Sequence, residues 1–147
     1  MSLKPLNILL ADDDLDDTNF FKEALQALPT PTHLTTVNNG EELMSYLSEN
    51  SEQLPHILFL DINMPRKDGF ECLSEIKRDE KLKDLPVVMF STSNSQDKIS
   101  ILFKTGADVY VRKPGNFAQL VQIIQHAIPI ATENIFSNGK LKYILNA

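Results

Sequence analysis

ILFLD, residues 57–61, decides the fold: four apolar residues, a length suited to a buried strand, end on a carboxylate. The same pattern recurs three more times. ILLADDD (8–14) runs into Asp12 and Asp13, PVVMFS (86–91) into Ser91, and VYVRKP (109–114) into Lys113. Runs that are apolar throughout, not alternating, belong to parallel strands covered on both faces. In an open parallel sheet every strand's carboxyl end points to one edge, where ligands bind. Three carboxylates, one hydroxyl and one ammonium are therefore expected to converge. That set suits a divalent cation together with a phosphoryl group carried on an aspartate.

Helical patterns lie between these runs. Phe21, Leu25 and Leu28 mark the first, stopped by Pro29; Leu43 and Leu47 mark the second, after Asn39-Gly40. Leu73 and Ile76 mark the third, opened by Asp68-Gly69, and Ile99, Leu102 and Phe103 the fourth, ended by Gly106. Phe117, Leu120, Val121, Ile124, Ala127 and Ile128 form the clearest stripe. HLTTV (33–37) reads as a polar strand near a sheet edge. Five strands alternating with five helices predict an α/β fold with right-handed βαβ crossovers and helices on both faces. Helix five is expected to end near Pro129, which loses a hydrogen bond in a helix interior. Residues 1–130 then form one domain, and 131–147 (ATENIFSNGKLKYILNA) a tail with no output domain.

Bulk properties exclude several classes. With 147 residues, 42% hydrophobic and 23% charged, the chain suits one globular domain with a real core. A formal net charge of -6 argues against nucleic-acid binding, which needs clustered Lys and Arg. One cysteine cannot form an internal disulfide, and no apolar stretch nears the ~20 residues of a membrane span. The expected setting is cytoplasmic.

Each loaded residue also has a plainer reading. Asp16 and Asp17 fall in the first turn of helix one, where carboxylates favour the helix dipole, and Asp14 suits a cap. Adjacent Asp12 and Asp13 repel one another unless a cation intervenes; Mg²⁺ prefers such oxygen ligands. Asp61 alone would be a strand-end cap, yet beside a metal it can attack phosphorus. Ser91, Thr92 and Ser93 suit a hydroxyl-rich turn. Pro114 biases Lys113 toward extended backbone, aiming it at the sheet's upper edge. Three carboxylates against a divalent cation and Lys113 leave a nearly neutral pocket for a phosphoryl group. His33, His56 and His126 show no metal-ligand spacing, and Cys72 reads as a half-buried structural thiol.

The ordered set of an acidic pair, D-x-x-M-P-x-x-D-G, a hydroxyl residue and K-P resembles the receiver domain of two-component response regulators, over roughly Leu6 to Ile128. Spacings agree: 30 residues from Asp61 to Ser91 and 22 more to Lys113. PRKDG also looks like the small stand-alone regulators paired with phytochrome-like kinases. The resemblance implies a flavodoxin-like doubly wound (βα)5 sheet of order 2-1-3-4-5, phosphorylation of Asp61, and Mg²⁺ held by Asp13, Asp61 and the Asn63 carbonyl, with Asp12 reaching it through water. It also implies that Lys113 and Ser91 contact phosphoryl oxygens and that Tyr110 is an aromatic switch. The Lys113–Pro114 bond is often cis in the family. Thr92 stands where many members carry Ala, Gly115 replaces a common apolar residue, and Asn63 and Ser93 occupy positions that tune dephosphorylation.

The leading expectation is a phosphoacceptor switch, not an enzyme. A sensor histidine kinase or phosphotransfer protein donates the phosphoryl group; the surface of helix four, strand five and helix five signals to a protein target, with a homodimer as one further use. A phosphoaspartate hydrolase is the competing class, but its nucleophile sits on the first strand and it adds a cap domain. A non-phosphorylated docking module is the third.

Overall fold

The computed structural model describes residues 5–92, 95–133 and 143–145. Ser93 and most of the tail lie outside the described residues. In chain order the elements are β1 (Leu6–Ala11), α1 (Leu15–Gln26), β2 (Thr32–Val37), α2 (Gly40–Glu49), β3 (Ile57–Leu60), α3 (Gly69–Arg78), β4 (Val87–Ser91), α4 (Gln96–Thr105), β5 (Val109–Arg112), α5 (Phe117–Glu133) and β6 (Tyr143–Leu145). Neighbouring strands run parallel in the order β2-β1-β3-β4-β5-β6, which contains the expected 2-1-3-4-5 arrangement. The polar strand β2 takes one edge, as its HLTTV sequence predicts. β6 is an addition: the tail returns to pair Tyr143 to Leu145 with Val109 to Val111.

Alternation along each strand divides the apolar residues between two cores. Leu9, Leu58, Leu60, Val87, Met89 and Tyr110 pack with residues of α2, α3 and α4. Ile8, Leu10, Ile57, Phe59, Val88, Phe90, Val109 and Val111 pack with α1 and α5. In this second core Phe21 meets Phe59 and Phe90 edge-on, with centroids 4.9 and 5.7 Å apart. Such edge-to-face pairs add about 0.5–1.5 kcal/mol each beyond the area they bury.

The helix starts follow from local chemistry. Asp14, Asn39 and Asp68 cap α1, α2 and α3, each side chain accepting from a first-turn N–H. Asp68 and Glu71 complete a reciprocal capping box. Gly106, at φ 125°, closes α4 in backbone geometry that few side chains tolerate.

Three expectations need correction. α5 does not stop near Pro129 but carries it inside and runs to Glu133. Ala131 is buried, and Ile128 and Ile130 pack against the α1/α5 core. That continued burial, at roughly 1.5–3 kcal/mol per large apolar side chain, offsets the ~3 kcal/mol a helical proline costs. The Lys113–Pro114 peptide is trans, as are all the described peptide bonds. Cys72 is fully buried, its thiol 3.7 Å from the Gly40 carbonyl, because α3 turns it inward beside Leu73 and Ile76.

Candidate functional site

The sheet ladder extends one residue past β1, β3 and β5, onto their loaded side chains. The Asp12 N–H donates to the Val37 carbonyl at 3.1 Å, Asp61 N–H to Ala11 at 3.0 Å, and Lys113 N–H to Ser91 at 2.8 Å. Backbone hydrogen bonding thus fixes these residues as firmly as strand residues. It also fixes their facing. Asp12 follows Ile8 and Leu10 in parity, Asp61 follows Ile57 and Phe59, and Lys113 follows Val109 and Val111, so all three belong to the α1/α5 side. Ser91 continues Val87 and Met89, and with Tyr110 it belongs to the opposite side.

Lys113 gathers the anionic groups. Its Nζ lies 3.0 Å from Asp12 Oδ2, 2.9 Å from Asp17 Oδ2 and 3.5 Å from Asp61 Oδ2. It also sits 5.3 Å from the centroid of the Phe90 ring. Asp12 is 1% exposed and Asp61 6%, whereas Asp13 is open to solvent. Asp12 is further fixed by the Asp14 N–H, which donates to Oδ1 at 2.9 Å. The Asn63 N–H donates to Asp61 Oδ1 over a long 3.4 Å.

Burial and charge set the electrostatics. Desolvation pushes the Asp61 carboxyl up from 3.8 to about 6; Lys113 opposes it, Asp12 adds to it, and the Asn63 N–H opposes it again. Burial acts to lower Lys113, but the carboxylates of Asp61, Asp17 and Asp12 outweigh it and hold the ammonium above its ordinary value. Lys113 therefore stays a cation, while burial makes the Asp61 carboxyl a weaker acid than an exposed one.

Oxygen atoms of Asp12, Asp13 and Asp61 come within 4.8 Å of one another. All are hard carboxylate donors, two are held by strand ends, and one faces water. This set fits an oxygen-seeking divalent cation that keeps part of its hydration shell.

The loop after β3 explains the D-G pair. A Cβ on Gly69 would stand 2.2 Å from the Asp61 carbonyl oxygen, and the Gly69 N–H donates to the Ile62 carbonyl at 2.8 Å. Turn chemistry is expected here from sequence; the structure adds close approach, since the backbone of Asp61 occupies the space a side chain would need. Arg66, at φ 70°, is a non-glycine residue in left-handed backbone within this loop.

The predicted site residues Asp12, Asp13, Asp61, Asn63, Ser91 and Lys113 all lie at this sheet edge. Ser91 is fully buried, and Tyr110 is 1% exposed one strand over. Thr92 and Gly115 are exposed, and a Cβ at Gly115 would meet nothing within 4 Å. The His56 Nδ1 accepts the Asn7 N–H, 2.9 Å away. Sequence assigns Asp17 a helix-dipole role only; it does lie in the first turn of α1, yet it also grips Lys113. Local sequence carries no signal for this second role, because the partner lies 96 residues away on the face of the sheet that α1 covers.

Comparison with known proteins agrees with this geometry. A family model for the response regulator receiver domain matches residues 8–125. The response regulator Rcp1 of Synechocystis sp. is 31% identical over 125 residues, covering 82% of this chain and 85% of that protein. The crystal structure of the phosphorylated cyanobacterial phytochrome response regulator RcpA is similar at 34% identity and TM-score 0.78, covering 94% of this chain and 99% of that one. The Mn²⁺-bound form of Rcp1 is similar at 30% identity and TM-score 0.76, covering 88% and 96%. Among the described residues no helix is long and apolar enough to cross a membrane.

Proposed function

The chain belongs to the response regulator receiver domain family, and on that premise we propose that Asp61 accepts a phosphoryl group from a sensor histidine kinase or phosphotransfer protein. One observation carries this reading: a carboxylate fixed at the end of a central strand has a permanent ammonium 3.5 Å away and two further carboxylates within reach of a shared cation. A carboxylate oxygen of Asp61 attacks phosphorus, and the P–N bond of the donor phosphohistidine breaks with its electron pair leaving on the imidazole. Lys113 donates to a phosphoryl oxygen and orients it. Ser91, at the end of β4, donates its hydroxyl to another.

Asp12, Asp13, Asp61 and the Asn63 carbonyl are the groups that would hold Mg²⁺. When bound, the ion supplies positive charge against the phosphoryl oxygens. The similarity to an Mn²⁺-bound Rcp1 structure supports a divalent cation in this class of protein.

Ser91 and Tyr110 share the α3/α4 side of the sheet, which supports transmission toward α4 and β5. The product is a protein switch and not a turnover enzyme: its output is a changed α4–β5–α5 surface offered to a downstream protein. β6, on the free side of β5, borders that surface. The similarity to the phytochrome regulator RcpA favours a phytochrome-like kinase as donor.

Incubation with acetyl phosphate and Mg²⁺ followed by intact-mass measurement tests the acceptor. A single phosphate adduct on the native protein and none on Asp61→Asn is expected. An equal adduct on both proteins would assign the chemistry elsewhere.

A further inference from the structure

An ammonium has three N–H donors, and those of Lys113 face three carboxylates. For Lys113 to donate to a phosphoryl oxygen, one of these partners must yield. The contact to Asp61 is the longest, at 3.5 Å, but that carboxylate is itself the acceptor and cannot move out of the way. Asp12 is 1% exposed and tied to the Asp14 N–H, so losing its cation would strand a buried charge. Asp17 differs from both. Its side chain is 42% exposed, and once released its carboxylate is solvated at little cost. It stands on α1, outside the strand-end framework that fixes the other two.

We propose that Asp17 is a positioning residue that restrains Lys113, and that exchange of the Asp17 carboxylate for a phosphoryl oxygen is part of the barrier to phosphorylating Asp61. The proposal deepens the phosphoacceptor reading and rests on it. Charge acts in the same direction as the restraint. Asp12, Asp13, Asp17 and Asp61 carry four negative charges, and Lys113 with a divalent cation supplies three positive ones. The excess negative charge, carried at the rim, repels an anionic phosphodonor as it approaches. Asp17 thus slows both the entry of the donor and the hand-over of Lys113, and it couples the start of α1 to the state of Asp61.

The test uses acetyl phosphate as donor: an Asp61 oxygen bonds to phosphorus, the bond from phosphorus to the acetyl oxygen breaks, and acetate departs with the electron pair. Asp17→Asn keeps the size and removes the charge. It is expected to take up phosphate roughly two- to fivefold faster than the native protein, the range set by losing one partly exposed ion pair. The difference should shrink as salt rises. Asp17→Glu, which keeps the carboxylate, should retain the slow rate.

Independently of any phosphodonor, the Lys113 ¹⁵Nζ resonance should shift, and its protons exchange faster, in Asp17→Asn. Asp17→Ser serves as a second uncharged variant if the asparagine protein folds poorly. An unchanged Lys113 resonance, or equal or slower uptake in the uncharged variants, overturns the restraint while leaving the acceptor reading intact. A native protein that takes up no phosphate overturns the acceptor reading and the kinetic role together, and the resonance then still reports whether Asp17 holds Lys113.

Discussion

Replacing Asp61 by Asn should stabilise the metal-free protein, and the gain should grow with pH. Burial holds the Asp61 carboxyl near 6 in the folded chain, against 3.8 when it is free in the unfolded one. Between those values the folded state binds the proton more tightly. Its contribution to stability is therefore fully present below about 4 and is lost as pH rises through about 6. At about 1.4 kcal/mol per pH unit, that gap amounts to a penalty of about 3 kcal/mol above pH 7. Asn has the same shape and no charge to desolvate. Urea melts of both proteins in EDTA should show the Asn variant gaining about 1 kcal/mol near pH 4.5 and about 3 kcal/mol near pH 7.5, on top of a constant offset. Comparing the two proteins cancels the titration of groups remote from Asp61, leaving Asp61 and its neighbours Asp12 and Lys113 as the source of the difference. Added Mg²⁺ should narrow the gap at neutral pH, because it stabilises the native protein through Asp61. A difference independent of pH, or one that declines as pH rises, would refute the claim that Asp61 is held ionised at a cost.

Gly69→Ala places a methyl group 2.2 Å from the Asp61 carbonyl oxygen, so the loop after β3 must shift; we expect a loss of about 2 kcal/mol and a sharply reduced phosphate adduct by mass, since the acceptor itself moves. Lys113→Ala strips the cation from Asp12 and Asp61, both nearly buried, and should cost about 3 kcal/mol in EDTA, with part recovered on adding Mg²⁺, as read by thermal melts. Asp68→Ala removes the side-chain acceptor for the Glu71 N–H, while the backbone N–H of residue 68 still donates to the Glu71 carboxylate; it should cost about 1 kcal/mol in a urea melt, without changing Mg²⁺ affinity.

The strands that carry chemistry were legible because burial on both faces writes a continuous apolar run, and a polar residue at its end stands out. The bounds of β3 agree with the run at Ile57–Leu60 residue for residue. The caps at Asn39 and Asp68 were equally plain, because capping is a local matter between a side chain and the next turn. What depended on tertiary contact was not legible. Pro129 obeys its helix-breaking tendency only where the following residues have no core to enter, and Ile130 and Ala131 do have one. β6 is a three-residue strand whose sequence carries no long apolar run, so its pairing depends on β5 offering an open edge. Asp17 has a sufficient local role at the start of α1, and its second partner is 96 residues away. Such a pairing becomes visible only when strand parity is combined with knowledge of which helix lies on which face.

The Ser91 carbonyl and the Lys113 N–H are joined across β4 and β5, yet their side chains depart toward opposite surfaces. Any one ligand gripped by both must sit astride the rim like a rider, spanning only the thickness of a single backbone layer.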